Sequence, residues 1–193
     1  MARQNTSSGQ VRIISGQWRS RKLPIHDLEG LRPTTDRVRE TLFNWLSTDI
    51  RGARVLDCFA GSGALSLESL SRYADFALMF ELQKSAANQL TKNLQTLNCT
   101  NANVVNGDSL QLLTNGTDTG FDVVFIDPPF RKGLAKHTIE LLMTHGWLNN
   151  DALIYLETEN DVADIVIPAS WQPLKEKKAG QVSYRLFTYQ AES

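Results

Sequence analysis

Apolar residues recur along this chain with two periods, and the places where one period gives way to the other divide it into elements. Val38, Leu42, Trp45 and Leu46 fall at helical spacing, which predicts a helix from about Thr35 to Ser47. From Arg54 onward short apolar runs alternate with amphipathic stretches. The runs predict strands near 54–58, 76–81, 102–106, 121–126, 151–157, 171–177 and 182–189. The stretches between them predict helices near 62–72, 83–97, 108–114, 133–145 and 161–166. Such alternation points to an α/β fold, a doubly wound and mostly parallel sheet of seven strands. No helix separates the last two strands, and Ala179-Gly180-Gln181 is suited to turning them into an antiparallel hairpin. Ahead of the sheet, the runs 11–15 and 18–23 flank Gly16-Gln17, which predicts a small β-hairpin with a two-residue turn. The break near residue 50 predicts an N-terminal extension over 1–50 and an α/β domain over 51–193.

Bulk properties narrow the classes. At 193 residues and 41% hydrophobic, the chain is long enough for one domain with a real core. No apolar run approaches 18 residues, so no membrane partner is expected. The first ten residues lack the apolar stretch of a signal peptide. With two cysteines, Cys58 and Cys99, in neither a disulfide-scaffold nor a zinc-ribbon spacing, a cytoplasmic protein is expected. His26, His137 and His145 also lack ligand spacing, so no metal is predicted. The net charge of −1 is unevenly spread: residues 1–54 carry ten basic and five acidic groups. That asymmetry suggests a nucleic-acid face at the N-terminal end, unless the charges merely solvate a tail.

Two motifs carry candidate chemistry. Asp127-Pro128-Pro129-Phe130 follows the predicted strand 121–126, and Pro-Pro must end that strand. The result is a rigid corner offering a carboxylate, carbonyls and an aromatic face, a set suited to a planar substrate bearing an amino group. The other motif, Asp57-Cys58-Phe59-Ala60-Gly61-Ser62-Gly63, reads as strand, glycine turn and helix start. Its glycines allow close approach of a ligand and free the N–H groups at the helix N-terminus. The dinucleotide fingerprint wants a third glycine where Ser66 stands, which weakens a nicotinamide reading. Asp57 can hold a cationic amino group or serve as a turn acid. Glu81, twenty residues beyond Gly61, ends the second strand where an acid can accept both ribose hydroxyls. Asp108 is placed to accept from an adenine amine, to cap the following helix, or both. Cys58 reads as a small buried group, and the Trp45 stripe as core packing.

With these motifs in order, the chain resembles a class I S-adenosylmethionine-dependent methyltransferase. The Asp-Pro-Pro-Phe corner is similar to that of enzymes that methylate exocyclic amines of bases. More specifically, Gly30-Leu31-Arg32-Pro33-Thr34-Thr35-Asp36-Arg37-Val38-Arg39-Glu40-Thr41-Leu42-Phe43-Asn44-Trp45 resembles the signature of bacterial 16S rRNA guanine-N2 methyltransferases of the RsmD type. So do Arg12–Arg19 and Asp57–Gly63, and the likeness runs from about Val11 to Tyr189. The resemblance implies S-adenosylmethionine as cofactor, held by Asp57, Phe59, Ala60, Gly61, Ser62, Gly63, Glu81 and Asp108. It implies guanine 966 of 16S rRNA as substrate, in the small ribosomal subunit or a late assembly intermediate, with the enzyme a monomer. Asp127 and the Pro128 carbonyl would each accept one amine hydrogen, with Phe130 stacked on a flipped or unpaired base and Pro129 against it. Arg19, Arg21, Lys22, Arg32, Arg37 and Arg39 are candidates for phosphate contacts or for ordering the site. A DNA adenine or cytosine amino-methyltransferase shares the corner but would need a recognition segment for which this chain has little room. A non-enzymatic RNA-binding protein would leave the corner unexplained.

Overall fold

Val55, Ala77, Val123 and Ile154 are buried at the centre of a seven-stranded sheet, covered on both faces. The computed structural model describes residues 9–26, 35–161 and 165–191. Its strands are β3 (Arg54–Asp57), β4 (Phe76–Glu81), β5 (Ala102–Asn106), β6 (Phe121–Ile126), β7 (Leu148–Glu159), β8 (Trp171–Ala179) and β9 (Val182–Tyr189), in the order β5-β4-β3-β6-β7-β9-β8. The first five run parallel. β9 lies antiparallel between β7 and β8, so the chain closes on the expected hairpin. The doubly wound architecture read from the alternation is the one present.

Helices follow strands as the periodicity predicted. They are α1 (Asp36–Trp45), α2 (Ala64–Ser71), α3 (Lys84–Thr96), α4 (Ser109–Thr114) and α5 (Leu134–Thr144). α1 begins where Thr35 caps it, accepting from the Val38 N–H, and buries Leu42 and Phe43. One face of the sheet packs against α1, α2, α3 and the N-terminal residues Val11, Ile13 and Leu23 in a single apolar cluster. The other face packs against α4 and α5 through Leu113, Ile139 and Leu142. Each fully buried side chain of this size contributes about 1.5–3 kcal/mol through removal from water. Among the described residues, no helix is long and apolar enough to cross a membrane.

Two elements differ from expectation. The hairpin exists, but its strands are only β1 (Gln10–Arg12) and β2 (Lys22–Pro24), with Val11 opposite Leu23. Gly16-Gln17 is no two-residue turn. The connecting loop spends its donors on the end of α2: Gln17 N–H donates to the Ser71 carbonyl at 2.8 Å and Trp18 N–H to Ser71 Oγ at 3.0 Å. The helix expected over 161–166 is also absent at its described C-terminal part. Residues 165–168 have no regular structure, and 162–164 lie outside the described residues. Ile165 and Ile167 both pack on the second core while Val166 is 78% exposed, the two-residue alternation of an extended segment, and Pro168 follows.

Candidate active site

β3 and β6 are neighbours, and the strand order runs outward from them in opposite directions. Their carboxyl ends therefore flank a topological switch point, where open α/β sheets bind ligands. The glycine turn leaves β3 and the Asp127-Pro128-Pro129-Phe130 corner leaves β6, so the fold brings the two motifs side by side.

Gly61 and Gly63 both have positive φ, +53° and +75°. A Cβ on Gly63 would stand 2.3 Å from Leu90 Cδ2, so only glycine fits that close approach to α3. The N–H groups at 60, 61 and 63 are used inside the turn. Ala60 N–H donates to the Phe80 carbonyl at 2.9 Å, Gly63 N–H to the Ala60 carbonyl at 2.7 Å, and Gly61 N–H to Glu81 Oε2 at 2.8 Å. Ser109 Oγ–H donates to the Cys58 carbonyl from the start of α4. Spending those amides internally makes a poor cradle for pyrophosphate but suits a ligand that lacks phosphate.

The acids behave differently from one another. Asp57 is buried and accepts from Ser66 Oγ at 2.8 Å. Burial pushes its pKa up to about 6, against the opposing bonds from Ser66 and the Phe59 N–H. Ser66, the residue that breaks the dinucleotide fingerprint, is thus the partner of the acid before the turn. Glu81 is buried, which raises its pKa, and its second oxygen accepts from the Gln83 N–H at 2.7 Å. Each oxygen takes one donor, leaving lone pairs for two hydroxyls. Asp108 is the N-cap of α4, accepting from the Gln111 N–H at 3.0 Å. The capping role considered for it is therefore filled. A buried carboxylate that would gain from a cation, a ribose-type acid and a phosphate-averse turn together fit S-adenosylmethionine.

At the corner, Pro128 is buried while Pro129 and Phe130 are exposed, Phe130 by 38%. Phe130 is therefore a presented aromatic and not a core residue. Asp127 is half-buried. Just beyond the corner, Arg131 adopts φ +58° and its N–H donates to Glu159 Oε1 at 2.5 Å, which pins the corner to β7. Beneath it, the buried Tyr155 hydroxyl donates to Glu157 Oε2 at 2.7 Å. Burial raises both groups, and the charges of Glu157 and Asp127 further raise Tyr155. Tyr155, Glu157, Glu159 and Ser109 escaped the sequence reading. The signal for Glu157 was its two-residue spacing from Tyr155 on an inner strand.

The basic residues separate. The hairpin lies along α2: Arg12 and Lys22 border a cavity with Ser62 and Ala64 at the helix start, whereas the loop bearing Arg19 meets Ser71 at its end. The eight residues of α2 put these two groups about 12 Å apart along the helix. Arg21 Nη2–H reaches the Thr96 carbonyl at 3.3 Å, at the end of α3. Arg19, Arg21, Lys22 and Arg37 are exposed, and Arg39 is buried. Arg32 lies outside the described residues.

Comparison with known proteins adds four findings. Residues 11–188 match the family described as Conserved hypothetical protein 95. The chain is 54% identical over 188 residues to Ribosomal RNA small subunit methyltransferase D of Escherichia coli strain K12, covering 97% of this chain and 94% of that protein. It is 53% identical over 184 residues to the protein of the same name from Haemophilus influenzae, covering 94% and 95%. Among solved structures, yhhF of Escherichia coli, assigned as a methyltransferase, superposes with a TM-score of 0.89 at 53% identity, covering 95% of this chain and all of that one.

Proposed function

We propose a function for a chain that belongs to the Conserved hypothetical protein 95 family, the family of the small-subunit ribosomal RNA methyltransferase D proteins. It is a ribosomal RNA methyltransferase that takes its methyl group from S-adenosylmethionine. Its target is the exocyclic N2 amine of a guanine, position 966 of 16S rRNA, in the small subunit or a late assembly intermediate. The enzyme acts as a monomer in the cytoplasm. The observation that carries the reading is the rigid Asp127-Pro128-Pro129-Phe130 corner set beside the glycine turn at the switch point.

When bound, S-adenosylmethionine supplies a methyl group on a positively charged sulfur. Asp57 holds the ammonium of its amino-acid end, Glu81 its ribose hydroxyls, and residues 59–63 the face of the turn. Asp108 keeps its capping bond and borders the base. Guanine N2 is a poor nucleophile because its lone pair is delocalised into the ring. Asp127 and the Pro128 carbonyl each accept one N2 hydrogen, which favours a more pyramidal nitrogen and stabilises the positive charge that develops on it. The methyl group would replace one N2 hydrogen, whose proton Asp127 or water would take. Phe130 stacks on the base and Pro129 borders it, so the base must be flipped out or unpaired. Arg19, Arg21, Lys22, Arg32 and Arg37 contact phosphates.

The test is methyl transfer to 16S rRNA, naked and within small subunits, with the modified nucleotide identified by mass spectrometry. The reading predicts one N2-methylguanine at position 966. Methylation of adenine or cytosine in DNA would favour the amino-methyltransferase alternative.

A further inference from the structure

Glu157 is a buried acid that the reaction as described leaves unused. It is only 8% exposed, and the Tyr155 hydroxyl donates to its Oε2 at 2.7 Å. Its Oε1 has no hydrogen-bond partner among the described residues. Among those residues, the sealed side-chain atoms without a partner belong to Arg39 and Arg185, so Glu157 Oε1 is open to a ligand. A carboxylate this far from water is rarely left half-used, because its desolvation is then poorly compensated.

Strand register places it beside the corner. Ile126 pairs with Leu156 across β6 and β7, and Asp127 and Glu157 each stand one residue further on. Phe125 and Tyr155, two residues before them, are also partners and share the apolar cluster on the α1 face. Side chains alternate along a strand, so Asp127 and Glu157 leave that same face of neighbouring strands, about 4.8 Å apart at the backbone. On its other side Glu157 pairs with Tyr184 of β9, whose buried ring stacks on Trp45. Glu159 is already committed to the corner, accepting the Arg131 N–H. The acids read as the cofactor's, Asp57 and Glu81, end β3 and β4, on the opposite side of β6 from β7. A base held at Asp127 therefore has the β7 side, and Glu157, next to it.

A carboxylate in that place distinguishes bases by the ring atom beside their amine. Guanine carries a hydrogen on N1, next to its N2 amine. Adenine presents a bare N1 beside its amine, and cytosine a bare N3. Guanine therefore donates to the carboxylate, whereas the other two set a lone pair against it. We propose that Glu157 selects guanine by accepting its N1–H through Oε1 while Asp127 holds the amine, with the Tyr155 hydroxyl fixing the carboxylate in place. The assignment rests on reading the corner as the amine site, and it supplies the discrimination that the corner by itself lacks.

The test uses 16S rRNA ligated from fragments, with guanine or 2-aminopurine at the target position, assembled into small subunits. 2-Aminopurine keeps the amine, but its N1 carries no hydrogen. It also lacks O6, a difference that a change at Glu157 does not touch. In kcat/KM the wild type should favour guanine by about a hundredfold, as a site does whose buried acceptor the wrong base leaves unpaired. Glu157→Gln offers the bare N1 a donor and should narrow that ratio by about tenfold or more, with S-adenosylmethionine affinity within about twofold of wild type. Equal transfer to both RNAs by the wild type overturns the proposal. So does a Glu157→Gln that slows both reactions by one factor, which marks a structural role. If Glu157→Gln fails to fold, Glu157→Asp decides: it withdraws the carboxylate by one methylene and should lower the guanine preference, and an unchanged preference overturns the proposal. A wild type that methylates neither RNA overturns the function on which the proposal rests.

Discussion

Asp57 carries a measurable electrostatic burden at the residue scale. Its pKa rises from 3.8 to about 6 on burial, so the ligand-free protein is favoured with Asp57 protonated. That contribution is fully present below the unfolded value near 4 and is lost as pH rises through about 6. It amounts to about 3 kcal/mol at one pKa unit per 1.36 kcal/mol. Asp57→Asn should therefore gain up to about 3 kcal/mol of stability at pH 8 relative to wild type, with little difference below pH 4, in urea titrations of the ligand-free protein. The same variant should bind S-adenosylmethionine more weakly. A stability difference that does not change with pH would mean that Asp57 is ionised and satisfied without a ligand. The sequence showed where Asp57, Glu81 and Asp127 stand, since the first two end strands with clear apolar runs and the third directly follows one. It did not show Ser66 as the partner of Asp57, because a serine one helical turn into α2 looks like any polar position until the turn is folded over it.

At the scale of elements, the hairpin and α2 behave as one unit. Glu68, buried on α2, accepts from the Ile14 N–H at 2.7 Å, the Ser15 N–H at 3.0 Å and Arg72 Nε–H at 2.8 Å. Gly16 has φ +84°, and a Cβ there would stand 1.9 Å from the Ser71 carbonyl oxygen. Gly16→Ala should cost at least about 2 kcal/mol, from left-handed strain and collision with backbone, read as a shift in urea midpoint. Wild-type stability would mean that the loop moves off α2 freely. This contact explains why the turn was misread. Its partner lies about fifty residues away, whereas turn rules see only neighbours. The helix expected near 161–166 failed for a related reason: a short apolar run such as Ile165-Val166-Ile167 does not choose between helix and strand, and only the core beneath Ile165 and Ile167 does. The parallel strands were legible as short apolar runs, and α1, α3 and α5 as amphipathic stretches between them. On the hairpin, replacing Arg19, Arg21 and Lys22 with glutamine should weaken RNA binding and reduce its salt slope by roughly 2, at about 0.7 per lost phosphate contact. An unchanged slope would remove these side chains from the RNA face.

For the whole molecule, the sheet order places the glycine turn at the end of β3 beside the Asp127-Pro128-Pro129-Phe130 corner at the end of β6. Neither motif acts alone. The glycine turn fits several ligands, and the corner fits guanine, adenine or cytosine. Their juxtaposition makes amine methylation the economical account, and on the proposed function the exposed basic loop along α2 would meet the RNA backbone. The most direct test is single-turnover methyl transfer to 16S rRNA by wild type and Asp127→Ala, with S-adenosylmethionine affinity measured on the same preparations. Transfer should be lost by more than a thousandfold, about 4 kcal/mol of barrier, while cofactor affinity stays within about twofold. Transfer that survives within about tenfold, or roughly 1.4 kcal/mol, would contradict the role of Asp127 at the amine and with it the reading of the corner as the catalytic site.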